Sequence, residues 1–421
     1  VINSFALNYL LKIDVSGEFF IKNSVVPKDG KELYTFDNTG RHLTTRDTLT
    51  NQILYRFSYE PNGYLSTITN VDGDITSIER LTDGKPLAII AADGERTEIT
   101  LDANGYINTL TNPAGETHQM TYLEGGLLDI YTDPNGNIYD YDYDAEGRLI
   151  NDKSPTGAGW ELAITEQTQN SRTVTKTSKE GRKTTYKSET LLTDDFKRTI
   201  TNPDGTAIVS LKKTNGETTI TLADGTITNL TEEPDPRFGI QAPLPAKTTV
   251  ILPSGLFSTT TLTRDIKLSD PLDIFSLTQQ TDTLIQNGKT STVVYDAASQ
   301  TISSSSAQGR TGSVLLNAKG RPIQNQITGL NPVSTEYDTR GRVQRITISS
   351  GTELRESLYS YYKTGAMKGY LQSITNALSQ TTNFQYDLSG RITQQTLPDT
   401  RQINYEYDAN GNLARLIPAG R

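Results

Sequence analysis

Glycine recurs every 21 residues, at Gly63, Gly84, Gly105, Gly126 and Gly147, and a second series displaced by ten runs through Gly73, Gly94, Gly115, Gly136 and Gly157. A short fixed period constrains the fold more than any composition does. One unit cannot bury its own apolar surface and must stack on its neighbours. The glycines stand in turn chemistry: Pro61-Asn62-Gly63, Asp72-Gly73, Asp93-Gly94, Asn104-Gly105, Asn135-Gly136. Asn-Gly and Asp-Gly supply the φ > 0 positions that tight hairpins demand. Each unit therefore reads as strand, turn, strand and turn back, with roughly 7 residues per strand.

Composition agrees. The chain has 62 threonines, 21 tyrosines and 33 glycines in 421 residues, a β-branched, aromatic, turn-punctuated mixture expected of an all-β protein. Hydrophobic content is 34%, low for one compact core but suited to a wall one sheet thick. The expected fold class is all-β: tandem β-hairpin repeats forming one continuous spiral sheet, because strand twist bends a long sheet. The whole of 1–421 reads as a single segment. Residues 1–53 form an irregular lead-in with a partial repeat, 54–160 regular repeats, 161–290 a divergent Thr-rich section, and 291–421 regular repeats ending mid-repeat. Pro234 to Pro245 reads as an irregular connection, and Tyr361, Tyr362 and Gly365 suggest an enlarged unit. Apolar residues follow the turn glycines at +2 and +5 (Leu65 and Ile68, Ile107 and Leu110, Val343 and Ile346, Leu413 and Leu416). A spacing of three requires either a bulge or apolar cover on both faces.

The repeat signature is Tyr-Asp-x-x-Gly-Arg-apolar. It stands as Tyr143-Asp144…Gly147-Arg148, Tyr337-Asp338…Gly341-Arg342 and Tyr386-Asp387…Gly390-Arg391, with Tyr407-Asp408…Gly411-Asn412 as a variant. These residues resemble the YD, or RHS, repeat family. A residue that recurs in every unit serves the repeat: Tyr for cross-strand packing with a hydroxyl that needs a partner, Asp to accept turn amides, Arg to pair with a carboxylate or carbonyl of the next unit.

The resemblance implies a hollow β-shell, as in Rhs toxins, the cocoon components of Tc toxins, and teneurins. It implies a structural role, encapsulating a C-terminal toxin or other cargo polypeptide of a secreted or surface-exposed bacterial protein, without turnover. The implied partners are the remainder of the parent polypeptide and the enclosed cargo. The alternative is a teneurin-like cell-surface or wall-associated adhesin that recognises a carbohydrate or protein receptor. Family members of the toxin type carry a self-cleaving segment after the repeats; this chain ends at Arg421 inside a repeat, so that activity is carried to no residue.

Other chemistry is poorly supported. A formal charge of −9 argues against nucleic acid. The absence of cysteine excludes disulfides and thiol catalysis, and fits an exported bacterial protein. No run of 18 apolar residues spans a membrane, and Val1 to Leu11 does not read as a signal peptide. No cofactor is implied. The weak candidates for a metal are Asp140, Asp142 and Asp144, three carboxylates at alternate positions, although a strand with Tyr on one face and Asp on the other explains them without one. Asp194-Asp195 and Glu232-Glu233 read as solvated acids, His42 and His118 as surface residues, and Ser303 to Ser306 as a flexible turn or strand edge. Trp160, the single tryptophan, reads as a packing plug where the regular repeats stop, or as a sugar-stacking platform.

Overall fold

The computed structural model describes residues 23–350 and 353–420, so the reading of Val1 to Leu11 lies outside it. The described residues form 35 strands, from β1 (Ser24–Val25) to β35 (Leu413–Ile417), and contain no helix. Each strand pairs antiparallel with its neighbours in sequence, from β1–β2 through to β34–β35. Among the described residues the end strands pair on one side only, so the described sheet is an open meander. The chain exposes 26185 Å², where a compact monomer of this mass would expose roughly 16,000 Å². One sheet is the wall, and among the described residues no thick core lies behind it.

The turns explain the glycine period. At the turn 102–106, Gly105 N–H donates to Asp102 O at 3.1 Å and Asp102 N–H to Tyr106 O at 2.8 Å. The Asp102 carboxylate accepts the amides of Asn104 and Tyr106, both at 2.9 Å. Asp144 does the same for Glu146 and Arg148 at 3.0 and 2.9 Å. This is a type I turn closed by one left-handed residue, so the glycine alone takes φ > 0 (90° at Gly105). Asn104 before it is not in the left-handed region, whereas at Gly125-Gly126 and at Asn287-Gly288 both residues take positive φ, so the expectation drawn from Asn-Gly holds only at turns of the latter kind. Thr400 occupies the glycine slot with φ of 69°, a costly conformation for a β-branched residue. Thr400→Gly is expected to stabilise by about 1 kcal/mol, read as a higher urea midpoint; a lower midpoint would contradict this account of the turn.

A bulge resolves the three-residue apolar spacing. Between β4 (Ile53–Tyr59) and β5 (Leu65–Asn70), Tyr59 opposes Leu65 and Ser58 opposes Thr67, leaving Ser66 unpaired. Leu65 and Ile68 thus lie opposite Tyr59 and Phe57, on one face. Asn108, Gln344 and Ala414 are the extra residues in the corresponding later units. Register then carries the same apolar face forward, through Ile78–Ile89, Ile99–Leu110 and Met120–Tyr131.

The divergent section is built of longer strands. The stretch Pro234 to Pro245 is no irregular connection: it belongs to β20 (Ile227–Asp235) and β21 (Gly239–Ile251), whose register shifts absorb the prolines. The tip of this hairpin reaches the start of the sheet. Phe238 and Ala242 bury against Val26 and Leu33, with Ile274 and Phe275 alongside. Arg237 donates to Thr48 O at 2.7 Å and Gln280 Oε1 at 3.2 Å, and burial pulls its guanidinium down to about 10. The enlarged unit is present as the connection between Tyr361 and Leu371, which oppose each other across it.

Candidate functional site: the repeat contacts and the seam between coils

The signature residues form a repeating set of contacts. The Tyr143 hydroxyl donates to Leu128 O at 2.8 Å, Tyr337 to Pro322 O at 2.8 Å, and Tyr407 to Ile392 O at 2.8 Å. Each carbonyl lies 15 residues earlier, so these three tyrosines tie their units to the preceding strand pair. Arg80 fills the tyrosine slot once, and its guanidinium reaches Leu65 O at 3.1 Å instead. Tyr386 packs its ring against Tyr370, 5.1 Å between centroids.

The arginine meets the expectation in part, since Arg342 Nη1 donates to Gly369 O of the next unit at 3.0 Å. Its carboxylate partner is the aspartate of its own turn: Arg148–Asp144 at 2.7 Å, Arg342–Asp338 at 2.6 Å, Arg391–Asp387 at 2.6 Å. The turn folds position +4 back beside the aspartate, so the local partner is always in reach. Asn412 bonds Asp408 in the same way at 3.1 Å. The next unit receives the guanidinium face, which lies over Tyr361 from Arg342 (4.2 Å) and over Tyr407 from Arg391 (5.1 Å). In several units the residue after the glycine also covers the glycine of the following unit, as Tyr64 does for Gly84, Tyr106 for Gly126 and Tyr370 for Gly390. A Cβ on Gly126 would stand 2.5 Å from Tyr106 Cζ, so that position needs glycine for space as well as for φ.

A series of charged contacts on the wall joins turns far apart in sequence. Asp72 takes Lys319 Nζ at 2.8 Å and both terminal nitrogens of Arg321. Arg340 bonds Asp74 at 2.7 Å and also Asp93. Arg391 reaches Glu116 at 2.7 Å, and Asn410 donates to Asp133 at 2.6 Å. These contacts bridge 247 to 277 residues without strand pairing. The sheet has turned through one coil, and its turn edges meet. Acids come from the second-series turns, and bases come from the signature turns of the later repeats. The Asp72 side chain is 3% exposed; Arg321, followed by Lys319, holds its carboxyl below the usual range despite burial. Asp133 is also held low, against burial, by hydrogen bonds from Asn137 and Asn410. Burial, with Glu95 beside it, pushes the Tyr370 phenol up to about 12.

The remaining sequence candidates fall as follows. Asp140 and Asp142 share Lys153 Nζ at 3.3 and 2.9 Å, and Asp144 caps its turn. Asp195 accepts from Thr193 and from Thr214 N–H at 2.8 and 3.0 Å, while Glu232 pairs with Lys28. His42 is half-buried and stacks on Phe57 at 4.0 Å, and His118 contacts the Tyr131 hydroxyl at 2.7 Å. Both belong to aromatic packing on strands. Ser303 to Ser305 lie in β25 (Thr301–Ser305), paired on both sides and so neither a flexible turn nor an edge. Trp160 is 42% exposed, too open for a plug.

The profile of the teneurin YD-shell matches residues 22–420. The chain belongs to the teneurin YD-shell family. Human teneurin-4 is 34% identical over 128 residues, covering 30% of this chain and 5% of that protein. Teneurin-1 of Gallus gallus is 28% identical over 228 residues, covering 53% of this chain and 8% of that protein. The crystal structure of TcdB2-TccC3-TEV aligns with a TM-score of 0.45 at 12% identity, over 98% of this chain and 25% of that one. This YD-shell chain thus spans 5% to 8% of the length of these teneurins. The seam across this YD shell was missed in the sequence. Its signal was there: acids flank the second-series glycines (Asp72 and Asp74, Asp93 and Glu95, Glu116), and bases flank the later signature glycines (Lys319 and Arg321, Arg340 and Arg342, Arg391).

Proposed function

We propose that this YD-shell segment is the wall of a container that encloses a cargo polypeptide of its parent protein. The observation that carries the reading is the seam. A sheet that returns to itself after 247 to 277 residues, and locks turn to turn, is built to close off a volume. Its work is exclusion by geometry, with no turnover. The partners are the rest of the parent chain, which continues the coil, and the enclosed polypeptide, a toxin in one form of this reading. The parent is secreted or sits at the cell surface, and the cysteine-free composition suits a bacterial exported protein.

The test is electron cryomicroscopy of the full-length parent together with limited proteolysis. Expected are density inside the coil and protection of a segment that is cleaved once the shell is opened. A sheet packed flat on another, without a lumen, overturns the reading.

A further inference from the structure

The last pair of turns that the seam joins share one sequence pattern. Asp133-Pro134-Asn135-Gly136-Asn137 meets Asp408-Ala409-Asn410-Gly411-Asn412, and their contacts are reciprocal. Asn135 Nδ2 donates to Asp408 Oδ2 at 3.0 Å, and Asn410 Nδ2 donates to Asp133 Oδ2 at 2.6 Å. Asn135 Oδ1 accepts Ala409 N–H at 3.1 Å, and Asn410 Oδ1 accepts Asn135 N–H at 3.1 Å. Each carboxylate also takes a backbone amide of its own turn, from Asn137 or Asn412, at 2.8 Å. Elsewhere the seam is held by Arg and Lys side chains. Here it is held by two neutral amides.

Both asparagines precede glycine, whose nitrogen has no adjacent side chain to hinder it. That nitrogen can attack the asparagine Cγ. The new N–Cγ bond closes a succinimide, the Cγ–Nδ2 bond breaks, and Nδ2 leaves as ammonia with the proton that the glycine nitrogen gives up. Water then opens the ring to aspartate or isoaspartate, so a neutral amide and water become a carboxylate and ammonium. In the closed seam every group involved is occupied. Gly411 N–H donates to Asp408 O at 2.9 Å, and the Asn410 amide is bonded through both its oxygen and its nitrogen. The chain carries its own reference, since Asp102-Ala103-Asn104-Gly105 repeats the residues of Asp408-Ala409-Asn410-Gly411. Gly105 N–H makes the same turn bond at 3.1 Å, but the Asn104 side chain has no hydrogen-bond partner among the described residues.

We propose that Asn135 and Asn410 are hydrolytic deamidation sites that make this end of the seam a one-way switch. Opening frees the amide to react, and the product cannot close again. Loss of the amide at Asn410 replaces a donor by an anion facing the Asp133 carboxylate, which is 6% exposed, and like charges at hydrogen-bond distance repel. Loss at Asn135 sets an anion against Asp408 in the same way. Both asparagines are exposed, so water reaches them. The turns held by Lys319, Arg321, Arg340 and Arg391, and the acidic turns they meet, contain no Asn-Gly pair. Hydrolysis therefore unfastens the seam from this end. The inference concerns the seam alone, and it and the container reading can fail separately.

The intact chain is incubated at mildly alkaline pH, and the loss of each amide is followed by peptide mass spectrometry. Asn104 is expected to convert about tenfold faster than Asn410, the protection of one charge-assisted contact. In concentrated urea the two rates should converge, because the local sequences match. Hydrogen exchange then reads the switch. Asn410→Asp should speed exchange about tenfold in 133–137 and 408–412, where the Asn135 and Ala409 amides find acceptors across the seam. Asn104→Asp should leave both stretches unchanged. Asp133→Asn combined with Asn410→Asp moves the amide to the other side of the same contact. It should restore protection, and it decides the matter should the single variant fold poorly. Equal rates at Asn104 and Asn410 in the folded chain, rates that stay apart in urea, unchanged exchange in Asn410→Asp, or no recovery in the paired variant overturns the inference.

Discussion

Asp235→Ala is expected to destabilise the chain by about 3–5 kcal/mol. Its side chain is 0% exposed and accepts Arg264 Nη1 at 3.0 Å, together with the amides of Arg237 and Phe238 at 2.7 and 3.0 Å. Removing the carboxylate strands two amides and takes a counter-charge from the buried Arg237. Arg264 keeps its paired bonds to Asp282 at 2.7 and 2.8 Å, so the damage centres on the hairpin tip. Asp235→Asn should cost less, because an amide oxygen can still accept the turn amides. Arg237→Met should be milder again, since it removes the buried charge itself. In a quasi-one-dimensional sheet the loss need not be global. The measurement is therefore hydrogen exchange in β20, β21 and the opening strands, alongside urea unfolding. An Asp235→Ala cost below about 1 kcal/mol would refute the buried-charge argument.

The seam carries the second large effect. Asp72→Ala should cost about 1.5–3 kcal/mol, the value of charge-assisted hydrogen bonds to a buried carboxylate. In a double-mutant cycle Asp72 and Arg321 should couple by about 1–3 kcal/mol, because each is the other's main partner. The coupling should depend on pH in a fixed direction. The folded Asp72 carboxyl titrates below its ordinary value, so its stabilisation is fully present above the unfolded value of about 3.9. It is lost as pH falls through the folded value. The cycle should therefore give a constant coupling from neutral pH down to about pH 5, and a shrinking one below about pH 4. High salt should weaken the more exposed Lys319 contact (41% exposed) before that of Arg321 (23%). A coupling unchanged in acid would mean that the carboxylate is not what holds the coils.

Much of the wall was legible because its causes are local. The glycine period needs only a turn that demands one left-handed residue, and the signature aspartate needs only amides within four positions. The same locality explains why the arginine also has a partner inside its own turn. The turn brings Arg148, Arg342 and Arg391 back onto their own aspartates, while Arg342 also reaches Gly369 O of the next unit. The prolines of 234–245 read as a break because proline removes ladder donors, whereas bulges at Glu233 admit them into a long hairpin.

Sequence alone determined the repeat, its all-β hairpin character and its family, since each rests on residues within about one period of one another. The tertiary structure decided three things. It chose the bulge over two-sided apolar cover, because pairing register is a property of two strands and not of one. It set the pitch at which Asp72 meets Arg321 and Glu116 meets Arg391, because twist accumulates over hundreds of residues and a small angle per strand fixes which turns touch. It also left Trp160 exposed opposite Asp152, because pairing across strands, not order along the chain, decides what covers a side chain.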